Sequence, residues 1–133
     1  MKIPAIAFVS ILLVMGIMDG TWLSFSVSRF YRPGIGHLMG EKPVAAAAVV
    51  FYLLYAAGVT FLVTLPALAA GSPGSAALRG AVLGCIAYGT YDLTSLAIMR
   101  GWPVSITVID MLWGTILTGV SATLSVLLTA RFM

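Results

Sequence analysis

The amino-acid sequence predicts an all-α integral membrane protein, a single transmembrane domain over residues 1–133 built as a bundle of four helices. Composition is the first reason, because 61% of the residues are hydrophobic and only 8% are charged, too few charges to cover a soluble domain. Segment length is the second reason. The chain contains four apolar stretches of about 20 residues or more, the length of a helix that crosses a bilayer.

The first predicted helix covers residues 3–27 and the second covers residues 44–65. Charged residues, glycines and prolines interrupt the apolar sequence between Arg29 and Pro43, and they predict the longest loop of the chain. The second helix is predicted to stop before Pro66, because proline has no N–H to donate and its ring clashes with the preceding helical turn.

The third predicted helix covers residues 76–99 and the fourth covers residues 104–130, with the tight turn RGWP between them. Gly80 and Gly84 form a small-xxx-small pattern, which predicts a close helix contact within the bundle or between protomers. Trp102, in the RGWP turn, is expected to lie at the membrane–water interface.

The distribution of charge argues against a nucleic-acid partner. The formal net charge is +3, but the seven basic residues are spread along the chain and form no basic stripe. In a membrane protein such residues mark helix ends, so the expected partner is the lipid bilayer. Cys85, the single cysteine, has no partner for an internal disulfide and is expected to be a small packing residue.

Three of the four acidic residues lie inside the apolar helices. Counted from the helix ends next to the first and third loops, Asp19 lies about 13 Å deep, Asp92 about 12 Å and Asp110 about 10 Å at 1.5 Å per residue. A carboxylate that faced lipid at this depth would be costly. We therefore expect all three aspartates to face the bundle interior and to line one polar site for a proton or a ligand.

Aromatic residues are predicted at the same depth. Trp22 follows Asp19 by three residues and Trp113 follows Asp110 by three, so each tryptophan shares a helix face with an aspartate. Tyrosines of the second and third helices complete the predicted site, namely Tyr52, Tyr55, Tyr88 and Tyr91. Helix packing is an alternative role for the two tyrosines of the second helix.

The sequence carries no signature of a cofactor or a metal site. It lacks the GxSxG, HExxH and GxGxxG motifs and the P-loop. Aspartates can coordinate hard cations, but their spacing in this chain matches no specific metal-binding pattern. We therefore predict neither a metal nor a cofactor.

Several stretches of the chain resemble a known family. They are YDLTSLAIMRGWP followed by VIDMLWGT, together with DGTWLSF and FYRPGIGHLMG. They resemble domain-of-unknown-function family 2177, small bacterial integral membrane proteins, and the likeness covers nearly the whole chain in order. Ser95 stands where the family commonly has asparagine. The resemblance implies a multi-pass protein of the bacterial inner (cytoplasmic) membrane with four helices, and it brings no established activity and no site residues.

Three functions remain open, in the following order. The first is a small transporter or ligand-binding protein in which the aspartates exchange protons with a cationic or polar small molecule and Trp22 and Trp113 offer aromatic faces. Since four helices are few for a complete pathway, this function predicts a homodimer.

The second is a membrane-embedded enzyme that acts on lipid or another apolar substrate, with an aspartate as acid or base assisted by Tyr88 or Tyr91. The third is a structural or assembly partner, in which the polar cluster only holds the helices together.

Overall fold

Four long helices form the protein in the computed structural model, which describes residues 2–133. We call them the first span (Lys2–Leu38), the second span (Ala45–Ala70), the third span (Pro73–Ile98) and the fourth span (Val104–Ala130). Each is long and apolar enough to cross a membrane, and no strand occurs in the described residues. The predicted fold class, an all-α bundle of four transmembrane helices, is confirmed.

The first span is longer than the sequence predicted. Its α-helix Lys2–Ser26 continues through a π-helical turn, Val27–Tyr31, and then through short helical turns to Leu38. Pro33 does not end the helix, because the widened turn lies directly before it and the N–H of Arg32 bonds to the carbonyl of Val27. The expected loop from Arg29 onward is therefore largely helical.

The second span passes a proline in the same way. Its α-helix Ala45–Val59 is followed by a π-helical turn, Thr60–Thr64, and the helix then runs through Pro66 to Ala70. The predicted end of the helix before Pro66 is therefore wrong. As at Pro33, a π turn directly before the proline relieves the clash with its ring. Gly71 ends the helix with a φ of 64°, a left-handed conformation that glycine adopts without strain.

An N-cap and a glycine turn mark where the third and fourth spans begin. The hydroxyl of Ser72 accepts a hydrogen bond of 3.1 Å from the N–H of Ser75, so the third span starts at Pro73 rather than at residue 76. The turn to the fourth span contains Gly101 with a φ of 80°.

Cys85, expected to be a packing residue, lies exposed on the third span.

Glycines let the third and fourth spans pack most closely. A Cβ atom placed on Gly80 would lie 2.9 Å from the carbonyl oxygen of Thr118, and one placed on Gly84 would lie 2.7 Å from the Thr118 hydroxyl. Neither position has room for a side chain, so the two backbones come into direct contact. The small-xxx-small pattern therefore forms a contact inside the bundle.

Two apolar layers lie at different levels of the bundle. The larger layer includes Ile11, Met15, Val59, Val63 and Leu117, all buried. The smaller layer lies towards the first and third loops and consists of Ile35, Trp102 and Ile106 packed against Phe30, Tyr31 and Leu96. The level between the two layers holds the aspartates, since Asp110 is one helical turn from Ile106 and Asp19 one turn from Met15.

Trp102 belongs to the smaller layer. The sequence placed it at the membrane–water interface, but its side chain is only 8% exposed and its Nε1–H donates to the hydroxyl of Thr107 at 3.1 Å. The helical extension of the first span to Leu38 supplies Ile35, which covers Trp102. The indole therefore packs inside the protein and closes this end of the bundle.

The second span stands apart from the third over half of its length. Its part from Thr60 to Ala70 contacts the third span, whereas Ala45–Val59 packs mainly on the first span. Residues from Val44 to Phe51 are exposed. A gap therefore widens between the second and third spans towards the first and third loops.

The close contact of the third and fourth spans predicts opposite effects for two Gly→Ala substitutions. Gly84→Ala should lower the free energy of unfolding by about 1–3 kcal/mol, the usual cost of overpacking, because its Cβ has no free space. Gly58→Ala, with no atom within 4 Å, should raise it by up to ~1 kcal/mol through helix propensity alone.

Unfolding by denaturing detergent in mixed micelles, followed by circular dichroism, measures both variants. Equal effects of the two substitutions would contradict the glycine-mediated backbone contact.

Candidate functional site

Asp19 connects three of the four spans. Its carboxylate accepts a hydrogen bond of 2.9 Å from Nε1–H of Trp113 on the fourth span and another from the hydroxyl of Tyr52 on the second span. The side chain is only 9% exposed. Because both donors are neutral groups on other helices, Asp19 holds the first, second and fourth spans together at the level of the site.

Asp110 receives its donor from a residue that sequence reasoning missed. The hydroxyl of Tyr31 donates to Oδ1 of Asp110 at 2.7 Å and accepts a hydrogen bond from Nε1–H of Trp22 at 3.3 Å. Tyr31 lies in the predicted first loop, where Arg29 and Pro33 suggested an interruption of the helix. Regular helical periodicity would place Tyr31, 12 residues after Asp19, about 120° away from the face of Asp19. The extra residue of the π turn brings Tyr31 to that face, and no sequence signal indicated this turn.

The two tryptophans of the predicted site stack on each other. The rings of Trp22 and Trp113 have centroids 4.8 Å apart and planes inclined by 14°. Since Trp113 donates to Asp19 and Trp22 donates to Tyr31, the stack joins the hydrogen bonds around Asp19 to those around Asp110.

Asp92 is completely buried and lies beside Asp110. Its side chain is 0% exposed, and the Asp110 carboxyl is within hydrogen-bonding range. Neither Oδ atom of Asp92 receives a hydrogen bond from any donor among the described residues. Two ionised carboxylates cannot donate to each other, so a hydrogen bond within this pair requires a proton on one of them. Proton binding is therefore the simplest chemistry that satisfies Asp92.

The remaining predicted tyrosines divide between packing and the cavity described below. Tyr55 shares a hydrogen bond of 2.7 Å with the hydroxyl of Thr118, and it does not reach an aspartate. The ring of Tyr88 lies over Gly114, where no side chain would fit. Tyr91 packs edge-on against Trp102, with ring centroids 5.5 Å apart, and remains 55% exposed.

A cavity of about 360 Å³ reaches Asp110. It is lined by residues of the second, third and fourth spans, namely Phe51, Ala87, Tyr88, Tyr91 and Asp110. Of the three aspartates, only Asp110 lines it, and the two stacked tryptophans border a separate groove on the first and fourth spans. The aromatic surface next to the carboxyl therefore comes from Phe51, Tyr88 and Tyr91.

The acidic residues do not form a cluster suited to a metal. Within residues 2–133, no group of three His, Cys, Asp or Glu side chains is arranged so that it could hold a metal ion. His37, the single histidine, is exposed and lies against Gly101 at the turn between the third and fourth spans. The arrangement is a pair of adjacent carboxyl groups, Asp92 and Asp110, next to a cavity with aromatic walls.

Comparison with known proteins identifies one family. A family model described as "Predicted membrane protein (DUF2177)" matches residues 4–127, a range that contains every site residue named above. No curated protein and no solved structure matches the chain. Since the family model covers nearly the whole sequence, the protein belongs to the membrane protein family DUF2177.

Proposed function

We propose that this membrane protein binds and transports a small cation or protonated amine in exchange for a proton at Asp110. The observation that carries the proposal is the position of Asp110, whose carboxyl lies beside buried Asp92 and also lines the cavity. A ligand in the cavity therefore meets the one aspartate of the three that both lines the cavity and lies beside a second acid.

The exchange conserves charge in the site. The proposal requires the carboxyl pair to be neutral without ligand, because charge is costly in this medium. When a monocation arrives, Asp110 releases its proton and pairs with the cation, while Asp92 keeps its proton and donates a hydrogen bond to the Asp110 carboxylate. One proton leaves for each cation that binds, so proton and ligand compete for the same oxygen atoms.

Aromatic residues suit a cation at this position. The rings of Phe51, Tyr88 and Tyr91 line the cavity around Asp110, and ring faces attract cations most strongly where water is excluded. Trp22 and Trp113, the aromatic faces proposed from the sequence, are engaged in their mutual stack and in hydrogen bonds. In the proposed function they orient Tyr31 and Asp19, and the cavity aromatics contact the ligand.

Tryptophan fluorescence should report the protonation of Asp110, because Trp22 donates to the tyrosine that donates to Asp110. We expect the purified protein to show a reversible change in emission between acid and alkaline pH that is lost in Asp110→Asn. The matched control is Tyr55→Phe, which removes a hydroxyl bonded to Thr118 rather than to an aspartate, and it should keep the change. An identical titration in wild type and Asp110→Asn would contradict a titrating carboxyl at this position.

Proton release on addition of a cation tests the exchange directly. In a weakly buffered solution of protein in nanodiscs, at least one of two amines, methylammonium and octylammonium, should release about one proton per protein as it binds. Asp110→Asn should abolish this release, because a side-chain amide has no acidic proton to release in water. Asp92→Asn should still release the proton, with an apparent affinity for the amine within about tenfold of that of the wild type. Its amide N–H replaces the donor of the protonated carboxyl.

The difference between the two Asp→Asn variants separates exchange from a purely structural role. If both variants remain folded and both retain proton release, Asp110 is not the exchange site. If neither amine causes proton release from the wild-type protein, the proposed function is overturned.

A further inference from the structure

Among the first, third and fourth spans, packed side chains close the level of the aspartates in both directions along the helices. Towards the first and third loops, the buried side chains of Ile35, Trp102 and Ile106 cover it. Towards the second loop, the larger apolar layer that includes Met15 and Leu117 fills the bundle. A ligand that came from water between the first, third and fourth spans would have to pass one of these packed layers.

The cavity at Asp110 opens sideways instead. Phe51 on the second span and Tyr91 on the third span form its outer walls, and these rings are 44% and 55% exposed. The second span from Ala45 to Val59 packs mainly on the first span, which leaves the gap towards the third span uncovered. In a membrane, this gap faces the acyl chains, because Asp110 lies about 10 Å inside the helix end at 1.5 Å per residue.

We propose that the ligand enters from the bilayer between the second and third spans, and that it is an amphipathic amine with a protonated head and an apolar tail. This inference rests on the proposed function and names the substrate class of the same site. The head displaces the proton of Asp110, and the tail lies between Phe51 and Tyr91 and extends into the lipid.

The lining of the cavity favours an apolar body over a polar one. Apart from Asp110 and the two tyrosine hydroxyls, the walls are the ring surfaces of Phe51, Tyr88 and Tyr91 and the methyl group of Ala87. A hydrophilic ligand would lose its hydrogen bonds to water there without replacement, whereas an alkyl chain loses none. A single carboxyl at the inner end sets the position of a single positive charge.

Ala87 offers a way to close the route without touching the carboxyl pair. It is the smallest side chain of the lining, so Ala87→Trp should fill the mouth of the cavity. The matched control is Ala57→Trp, which places the same ring on an exposed position of the second span outside the cavity. Retention of the Asp110-dependent fluorescence change shows that each variant is folded with its site intact.

The experiment compares two amines with the same head, octylammonium and methylammonium, in nanodiscs that hold one copy of the protein. Proton release is the readout, and empty nanodiscs give the bilayer concentration of each amine. We expect octylammonium to release the proton from the wild type and from Ala57→Trp. Its apparent affinity should be at least about tenfold weaker in Ala87→Trp, and methylammonium should cause no release even at a hundredfold higher aqueous concentration.

Each other outcome identifies which proposal fails. If octylammonium releases the proton equally from Ala87→Trp, or if methylammonium acts as well as octylammonium, lateral entry of an amphipathic amine is wrong while the exchange at Asp110 stands. If a second copy in the same nanodisc abolishes release, another protomer covers the gap and entry from lipid is overturned. If neither amine releases a proton from the wild type, the proposed function itself is wrong.

Discussion

Carboxyl groups inside a membrane must find hydrogen-bond donors within the protein, and this requirement organises the bundle. Lipid acyl chains have no hydrogen-bond donors, so the donors to Asp19 are Trp113 of the fourth span and Tyr52 of the second span. Tyr31 is the donor to Asp110. Asp92 receives no hydrogen bond from a described residue and has another carboxyl beside it. Asp19 and Asp110 therefore determine which helix faces meet.

The second constraint is the unequal packing of the helices. Glycines allow the third and fourth spans to touch along their backbones at Gly80, Gly84 and Gly114, which gives the bundle a closely packed pair. The second span joins this pair only near the second loop and diverges from the third span beyond Val59. Asp110 belongs to the close pair but lines the open gap. The structure therefore places a fixed carboxyl next to a loosely covered opening, and the proposed binding of a cation depends on this geometry.

Proline-linked π turns extend two spans and supply part of the site. In the first span the turn Val27–Tyr31 carries the helix past Pro33, and in the second span the turn Thr60–Thr64 carries it past Pro66. In the first span the additional residue turns Tyr31 towards Asp110, and the extension supplies Ile35 to cover Trp102. Both prolines look like helix ends in the sequence, since a regular α-helix cannot accommodate the ring without losing a hydrogen bond. A widened turn is a local solution that composition does not indicate.

The sequence by itself determined the fold class, the number of helices and the common depth of Asp19, Asp92 and Asp110, because hydropathy and the fixed rise of a helix depend only on residue order. It also indicated the glycine contact of the third span, since small residues at one-turn spacing have few other uses in a membrane helix. Only the tertiary structure decided which donor each aspartate receives, that Tyr31 joins the site, and that the cavity takes its aromatic walls from Phe51, Tyr88 and Tyr91 instead of the tryptophans. These features depend on how each helix is rotated about its axis and how far it diverges from its neighbours. Such rotations result from side-chain packing between residues that are distant in the chain, and no local pattern encodes them.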